Sequence, residues 1–419
     1  MFDRLFLGKM LARDGYFVRS TTGILKQRRE STMKRLVSLL VIAFLLMATA
    51  VVYGAEPIKI GAFYSLSGPA AAIGTPTKLV TQMVVEKLNK EGGINGRPIE
   101  LVLGDTESEP TKAVMVAKKF INVDKVAAII GPDRTDLGMA VKKLMEDAGV
   151  PIFMTVGGDP VIMGGGQLGT FHWVFKSPQR SSVAVAKLYG HLKKQKLTKI
   201  ALITASDGFG KDGKGWLEKL APEYGLTIVA DESFNPKDTD MTSQLSKLAS
   251  SNADAIVCWT IGPAGAIVAK NVKQLNMKTP LFQCHGLPDP KYVELAGTAS
   301  EGNMMPSTKL MAWELLPDSD PQKAVIKDFV HLYNDVYNYN KQFPINTHSG
   351  YAWDAVLIVA NAMKKAGTDP AKLRDAIEQT KDYVGVSGIY NLTPEDHNGL
   401  GVDSMIIVEV KDGKWKLVE

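Results

Sequence analysis

From residue 57 onward, short apolar runs alternate with amphipathic segments of helical period. Strands are predicted at 58–64, 99–103, 126–130 and 151–154, with helices at 77–90, 111–122 and 137–147 between them. The alternation restarts beyond residue 198. Strands at 199–204, 227–233, 255–259 and 281–283 interleave with helices at 215–224, 241–250 and 264–275. A strand–helix–strand unit of this kind returns each strand parallel to the last, and the helices must cover both faces of the sheet. The predicted class is therefore α/β, with two Rossmann-like lobes built on parallel sheets. The segment Phe171 to Lys176, followed by Ser177-Pro178, joins the two sets and is a candidate hinge. After residue 303 the pattern is mostly helical, at 321–337, 350–365 and 370–380. Two apolar runs then flank Asp412-Gly413, a hairpin signal.

A chain of 419 residues has ample core for two lobes. Its net charge of +5 is unevenly placed. Residues 1–55 carry nine Lys/Arg and three Asp/Glu, which leaves 40 basic and 41 acidic groups in the remainder. Nucleic-acid binding needs a concentrated basic surface, so that class is set aside.

Met33-Lys34-Arg35 precedes an uncharged run from Leu36 to Tyr53 that ends in small residues. This is the layout of a cleaved export signal over residues 33–55, with cleavage after Gly54, Ala55 or Ala50. Residues 1–32 then read as an extension upstream of the true start. An uncleaved anchor is the competing reading, since the run approaches spanning length. No Cys lies near the cleavage region, so a lipid anchor is not expected. The only cysteines, Cys258 and Cys284, end apolar strands and read as buried free thiols, although an exported compartment would permit a bond.

Several short motifs occur in a fixed order: Leu66-Ser67-Gly68-Pro69 with Gly74, Asn89 through Gly96, Asp105 at a strand end, Ile129-Ile130-Gly131-Pro132, Gly149-Val150-Pro151, and Tyr351 through Ala355. In this the chain resembles the leucine/isoleucine/valine-binding protein family across residues 57–419. The resemblance implies a type I periplasmic binding protein. Two lobes would be joined by crossovers near residues 176, 302 and 389, with residues 56–176 and 303–388 in the first and 177–302 and 389–419 in the second. It further implies a monomer that captures a small molecule and delivers it to the membrane permease of an ABC-type importer. No cofactor or metal is expected.

Ligands of open α/β sheets bind beyond the carboxyl ends of the strands, and helix starts there offer N–H groups to a carboxylate. The resemblance places Ser67 and Ala72 near that opening. Thr135 falls where amino-acid binders carry a Ser that contacts the ligand carboxylate; its other role would be a helix N-cap. Val156, Gly157 and Gly158 offer backbone groups, but Gly158 replaces the family's Thr, so a hydroxyl is missing. His285, in Gln283-Cys284-His285-Gly286, stands where amino-acid binders place the Glu that pairs with the ligand ammonium. A desolvated ammonium wants a carboxylate, whereas His donates to a carboxylate or phenol. The segment resembles that of members binding aromatic carboxylates.

Phe209 replaces a Tyr common at the cleft wall. Phe209, Trp259, Phe63 and Tyr64 are candidate aromatic walls or ordinary core. Arg134 and Arg180 are the candidate carboxylate clamps. His172, His191, His331, His348 and His397 lack metal-ligand spacing and read as structural or exposed.

The expected ligand is thus a small carboxylate, aromatic in character, with an apolar amino acid as the alternative. A periplasmic sensor would share the fold. An enzyme is not expected, because the first strand runs into Tyr64-Ser65-Leu66-Ser67-Gly68 rather than a Gly-x-Gly-x-x-Gly turn, and no phosphate loop or nucleophile elbow is evident.

Overall fold

The computed structural model describes Met33, residues 37–41 and residues 56–419. Met33 and residues 37–41 are helical. The expected signal segment, its start and its cleavage point otherwise fall outside the described residues. The chain divides into Met1–Glu56 and Pro57–Glu419, and the fold resides in the second unit. Among the described residues no helix is long and apolar enough to cross a membrane.

The first sheet holds five strands in the order β2-β1-β3-β4-β5, all parallel. These are β1 (Ile58–Tyr64), β2 (Ile99–Asp105), β3 (Ala128–Ile130), β4 (Ile152–Met154) and β5 (Val174–Lys176). Side chains alternate across a strand. Ile58, Ile60, Ala62 and Tyr64 therefore enter one core with Ala128 and Ile130, while Phe63 and Ile129 enter the other. Helix α1 (Ala71–Lys90) covers the first face; α2 (Pro110–Lys119) and α3 (Thr135–Ala148) cover the second. Each fully buried Ile, Val or Phe here contributes roughly 1.5–3 kcal/mol relative to exposure.

The second sheet runs β12-β11-β10-β9-β8-β6-β7. Its parallel part is β6 (Lys199–Ala205), β7 (Thr227–Phe234), β8 (Ala255–Trp259), β9 (Leu281–Gln283) and β10 (Met304–Thr308). The hairpin β11 (Met405–Lys411) and β12 (Lys414–Leu417) completes it antiparallel. Helices α4 (Ser181–Lys194), α5 (Gly208–Tyr224), α6 (Thr242–Ala249), α7 (Pro263–Gln274) and α8 (Pro290–Ala296) belong to this half. Cys258 and Cys284 are free and buried, and the Cys284 thiol donates to the Thr260 carbonyl at 2.9 Å.

Helix α9 (Pro321–His331), α10 (Thr347–Ala366) and α11 (Pro370–Glu378) return to the first core. Helix α10 is apolar almost all round, which is why it sits inside rather than on the surface. Asn346 caps it by accepting the Ser349 N–H at 3.0 Å. Asp354, buried on the same helix, accepts the Val386 and Ser387 N–H groups at 2.7 and 2.8 Å and fixes the returning chain.

The chain crosses between the sheets three times, and two of the expected crossing points shift. Met304–Thr308 is a strand of the second sheet, so the second crossing follows Thr308 rather than residue 302. This strand was not legible because it is short, contains Pro306 and does not alternate. Tyr390, Leu392 and Leu400 pack in the first core and Met405 in the second, so the third crossing lies at about residues 401–404 rather than 389. The first crossing follows Lys176, where β5 ends, and leads into α4. Its backbone is tied to the third segment by Asn398 Nδ2, which donates to the Lys176 and Pro178 carbonyls at 3.1 and 2.7 Å, and by the Tyr390 hydroxyl, which donates to Ser177 at 2.8 Å.

Candidate functional site

The carboxyl ends of the two sheets face one another, and their loops meet in a small enclosed site. Its first wall is the turn from β3 into α3. Asp133 is only 4% exposed. It accepts the Ser65 N–H at 3.0 Å and the Ser65 hydroxyl at 2.9 Å, joining the loops after β1 and β3. Burial pushes its pKa up to about 6, against those two hydrogen bonds. Arg134 forms two parallel bonds of 3.0 Å to its neighbour Asp136. Thr135 is the first residue of α3, not its cap; Arg134 holds the cap position without a side-chain bond. The Thr135 hydroxyl accepts the Gly158 N–H at 3.2 Å. Thr155 donates to the Pro132 carbonyl at 3.1 Å.

The glycines of this wall answer to space rather than to backbone conformation. Gly158 has φ −70°. A Cβ on it would come 2.5 Å from Thr135 Cγ2. A Cβ on Gly157 would lie 2.8 Å from Phe209 Cε2 and 3.1 Å from His285 Nε2. The Phe209 ring of α5 and the His285 ring of the loop after β9 therefore rest directly on the Gly157 backbone. Bulk at Thr135 and Phe209, not backbone conformation, excludes side chains at 157 and 158.

The second wall comprises Phe209, Ile261, His285 and Gly286. Asp207 caps α5 by accepting the Gly210 N–H at 2.9 Å, which sets Phe209 in the first turn. The Phe209 ring sits 5.9 Å from Trp259 and 5.5 Å from His285. His285 is 2% exposed, and neither ring nitrogen makes a hydrogen bond; the Gln179 backbone approaches without reaching bonding geometry. Burial lowers its pKa to about 3, reinforced by Lys176 and His348, so the ring is neutral at physiological pH. Helix α10 adds His348 and Tyr351. The pKa of His348 falls to about 4 because of the protein packed around it, although part of its surface remains accessible. The space enclosed by these groups is about 20 Å³, near the size needed for one water.

Of the residues expected at the site, Arg134, Thr135, Gly157, Phe209 and His285 come together there, and Gly158 abuts Thr135. The others do not. Ser67 is exposed, and its hydroxyl donates to Asp105 at 2.7 Å. Val156 is buried in the core beneath α3. Trp259 is fully buried behind Phe209 and His285 and backs the site without lining it. Ala72 lies at a neighbouring cavity. Arg180 faces Asp396 at 3.4 Å near the crossing. Phe63 and Tyr64 are core, the Tyr64 hydroxyl pairing with Thr81 at 2.7 Å. The other lining residues, among them Asp133, Thr155, Ile261, His348 and Tyr351, were not anticipated. Asp133 carried a signal, its place at a strand end. His348, expected to be structural or exposed, and Tyr351, noted only within a family motif, carried no signal for the site, because the helix bearing them is over sixty residues from either loop it meets.

A buried polar cluster joins the two walls. Lys176 donates to the Gly157 carbonyl at 2.7 Å and faces Asp159 at 3.7 Å. Asp212 of α5 accepts the Asp159 N–H at 3.0 Å, a direct bond from one half to the other. Among the described residues no cluster of three metal-ligating side chains occurs.

Residues 57–414 match the family model described as periplasmic binding protein. The chain belongs to that family. Among curated relatives, the leucine-, isoleucine-, valine-, threonine- and alanine-binding protein of Pseudomonas aeruginosa is 27% identical over 324 residues, covering 77% of this chain and 82% of the relative. An extracellular ligand-binding receptor from Rhodopseudomonas palustris superimposes with a TM-score of 0.79 at 27% identity, covering 87% of this chain and all of the other. The branched-chain amino acid transporter substrate-binding protein of Streptococcus pneumoniae, solved with isoleucine, gives 0.74 at 25% identity, covering 86% and 99%. These relatives of the periplasmic binding protein are binding proteins, not enzymes. Their two-lobed α/β architecture is the one expected for this chain.

Proposed function

We propose that this periplasmic binding protein captures a small aromatic carboxylate lacking an α-amine, in the periplasm, and hands it to the permease of an ABC-type importer. The observation that carries the reading is His285. It is neutral and buried, with both nitrogens unpartnered, where an ammonium would need an acid. The carboxylate would take the N–H groups at the start of α3 and at Gly157, and the aromatic body would lie against Phe209 and Tyr351. Because the site holds about 20 Å³ as it stands, the ligand enters when the lobes part about the three crossings. The bond from Asp159 to Asp212 is remade on closure.

A branched-chain amino acid is the second reading. It is favoured by the ligands named for the Pseudomonas and Streptococcus proteins and by Asp133, a buried carboxylate on the first wall. Calorimetry with 4-hydroxybenzoate and leucine separates the two. The aromatic acid is expected to bind at least tenfold more tightly. Leucine binding the more tightly would overturn the aromatic reading in favour of the amino acid.

A further inference from the structure

A cavity of about 240 Å³ opens beside the polar site, and the two share Gly286 and His348 as walls. Its apolar surface comes from both halves of the molecule: Ala72 and Ile73 at the start of α1, Pro263 of α7, Leu287, and Tyr292 and Leu295 of α8. Charge is confined to Asp289 and Lys291, and both are engaged. Asp289 accepts the Lys291 N–H at 2.8 Å and Asn346 Nδ2 at 3.3 Å, while the Lys291 ammonium pairs with Glu294 at 2.6 Å. An apolar cavity of ~150 Å³ is known to stay dry and to hold benzene. The present chamber is larger, so it has room for a ring together with the chain that leads to it. The waist between chamber and polar site is His348, which offers no fixed charge at neutral pH. An apolar segment passes a neutral imidazole without desolvating an ion.

We propose that this chamber receives the apolar tail of the ligand, so that the solute is an elongated amphipathic monocarboxylate of the arylalkyl type, longer than either benzoate or leucine. The inference rests on the reading above that the head is a carboxylate taken by the N–H groups at the start of α3; a short acid keeps its ring against Phe209 and Tyr351, whereas a longer one extends its tail into the chamber. The head site alone, at about 20 Å³, is too small to enclose a whole solute, and the chamber adjoins it across the shared walls Gly286 and His348. Because Ala72 and Ile73 line the chamber together with Leu287 and Leu295 of the other half, a tail seated there touches both and favours the closed form over the open one.

The test is calorimetry on the purified chain with benzoate, octanoate and 4-phenylbutyrate, repeated on Leu295→Trp and Ala72→Phe. Both substitutions fill the chamber from residues that retain some exposure. The unmodified protein is expected to bind 4-phenylbutyrate at least tenfold more tightly than benzoate, with octanoate between. Each substitution should remove at least tenfold of the 4-phenylbutyrate affinity while shifting benzoate by less than threefold. Benzoate binding as tightly as 4-phenylbutyrate, or 4-phenylbutyrate unaffected by both substitutions, overturns the chamber and leaves the carboxylate head standing. Failure of all three acids to bind the unmodified protein overturns the carboxylate head and the chamber with it.

Discussion

The two walls of the cleft differ in how completely their polar groups are paired. On the first wall Asp133, Arg134, Thr135 and Thr155 each have a protein partner. On the second, both nitrogens of His285 and the indole N–H of Trp259 behind it have none. An unpaired buried polar group costs about 1–3 kcal/mol, so such groups are rare where nothing requires them. The first wall therefore holds its shape with or without a ligand. The second presents the His285 nitrogens to the site, where a ligand can satisfy them, which makes it the discriminating side.

The largest expected effect tests the second wall through His285→Phe. A free His titrates near 6.5, and burial lowers His285 to about 3. Between those values the unfolded chain binds a proton that the folded protein refuses. Stability contributed by the neutral ring is therefore complete above pH 6.5 and is lost as the pH falls toward 3. At 1.36 kcal/mol per pH unit the full loss is roughly 5 kcal/mol, and about 3 kcal/mol of it falls between pH 6.5 and 4. His348, also lowered, is common to both proteins and cancels in the difference. Urea unfolding at pH 7, 5 and 4 should show the unmodified protein losing that much more than the variant. Identical pH profiles would mean that His285 is not held neutral by its surroundings, and the contrast between walls would fail.

A smaller effect is expected from Asp133→Ala on the first wall. Removing the carboxylate strands the Ser65 N–H and hydroxyl, for a loss of about 2–4 kcal/mol in denaturant unfolding at pH 7. The preference for aromatic acids over leucine should not change. Should stability hold while the order of ligand preference changes, Asp133 would be a ligand group, and the first wall would be as discriminating as the second.

The same contrast explains what was legible in the chain. Parallel strands and covering helices announce themselves through local period, so the α/β class and most strands were readable from residue 57 onward. The strand at Met304–Thr308 was not, because pairing with Leu281–Gln283 and Met405–Lys411 makes it a strand rather than any pattern of its own. At the site, Thr135 opens the helix that follows β3 and His285 lies in the loop just after β9, places that periodicity locates. Trp259 also ends a strand, yet its ring turns inward behind Phe209, an orientation that depends on Gly213 leaving room for the indole. His348 reaches the cleft only because α10 threads the first core, a contact between distant parts of the chain that no local pattern encodes.

The smallest effect bears on how the first wall is packed. By resemblance, amino-acid binders carry Ser and Thr where this chain has Thr135 and Gly158. The methyl group has in effect moved from one side of the contact to the other. A Cβ at Gly158 meets Thr135 Cγ2 at 2.5 Å and its hydroxyl at 2.7 Å, and the hydroxyl already accepts the Gly158 N–H. Gly158→Ala should therefore cost about 1–3 kcal/mol, the usual range for overpacking. Thr135→Ser removes the closer of the two atoms and leaves an oxygen free to choose another rotamer. In that background Gly158→Ala should cost about 1 kcal/mol less, a coupling measurable by a double-mutant cycle in urea. Strict additivity would show that the two positions relax independently. The first wall would then be softer than its paired polar groups indicate, and rigidity would no longer distinguish it from the second.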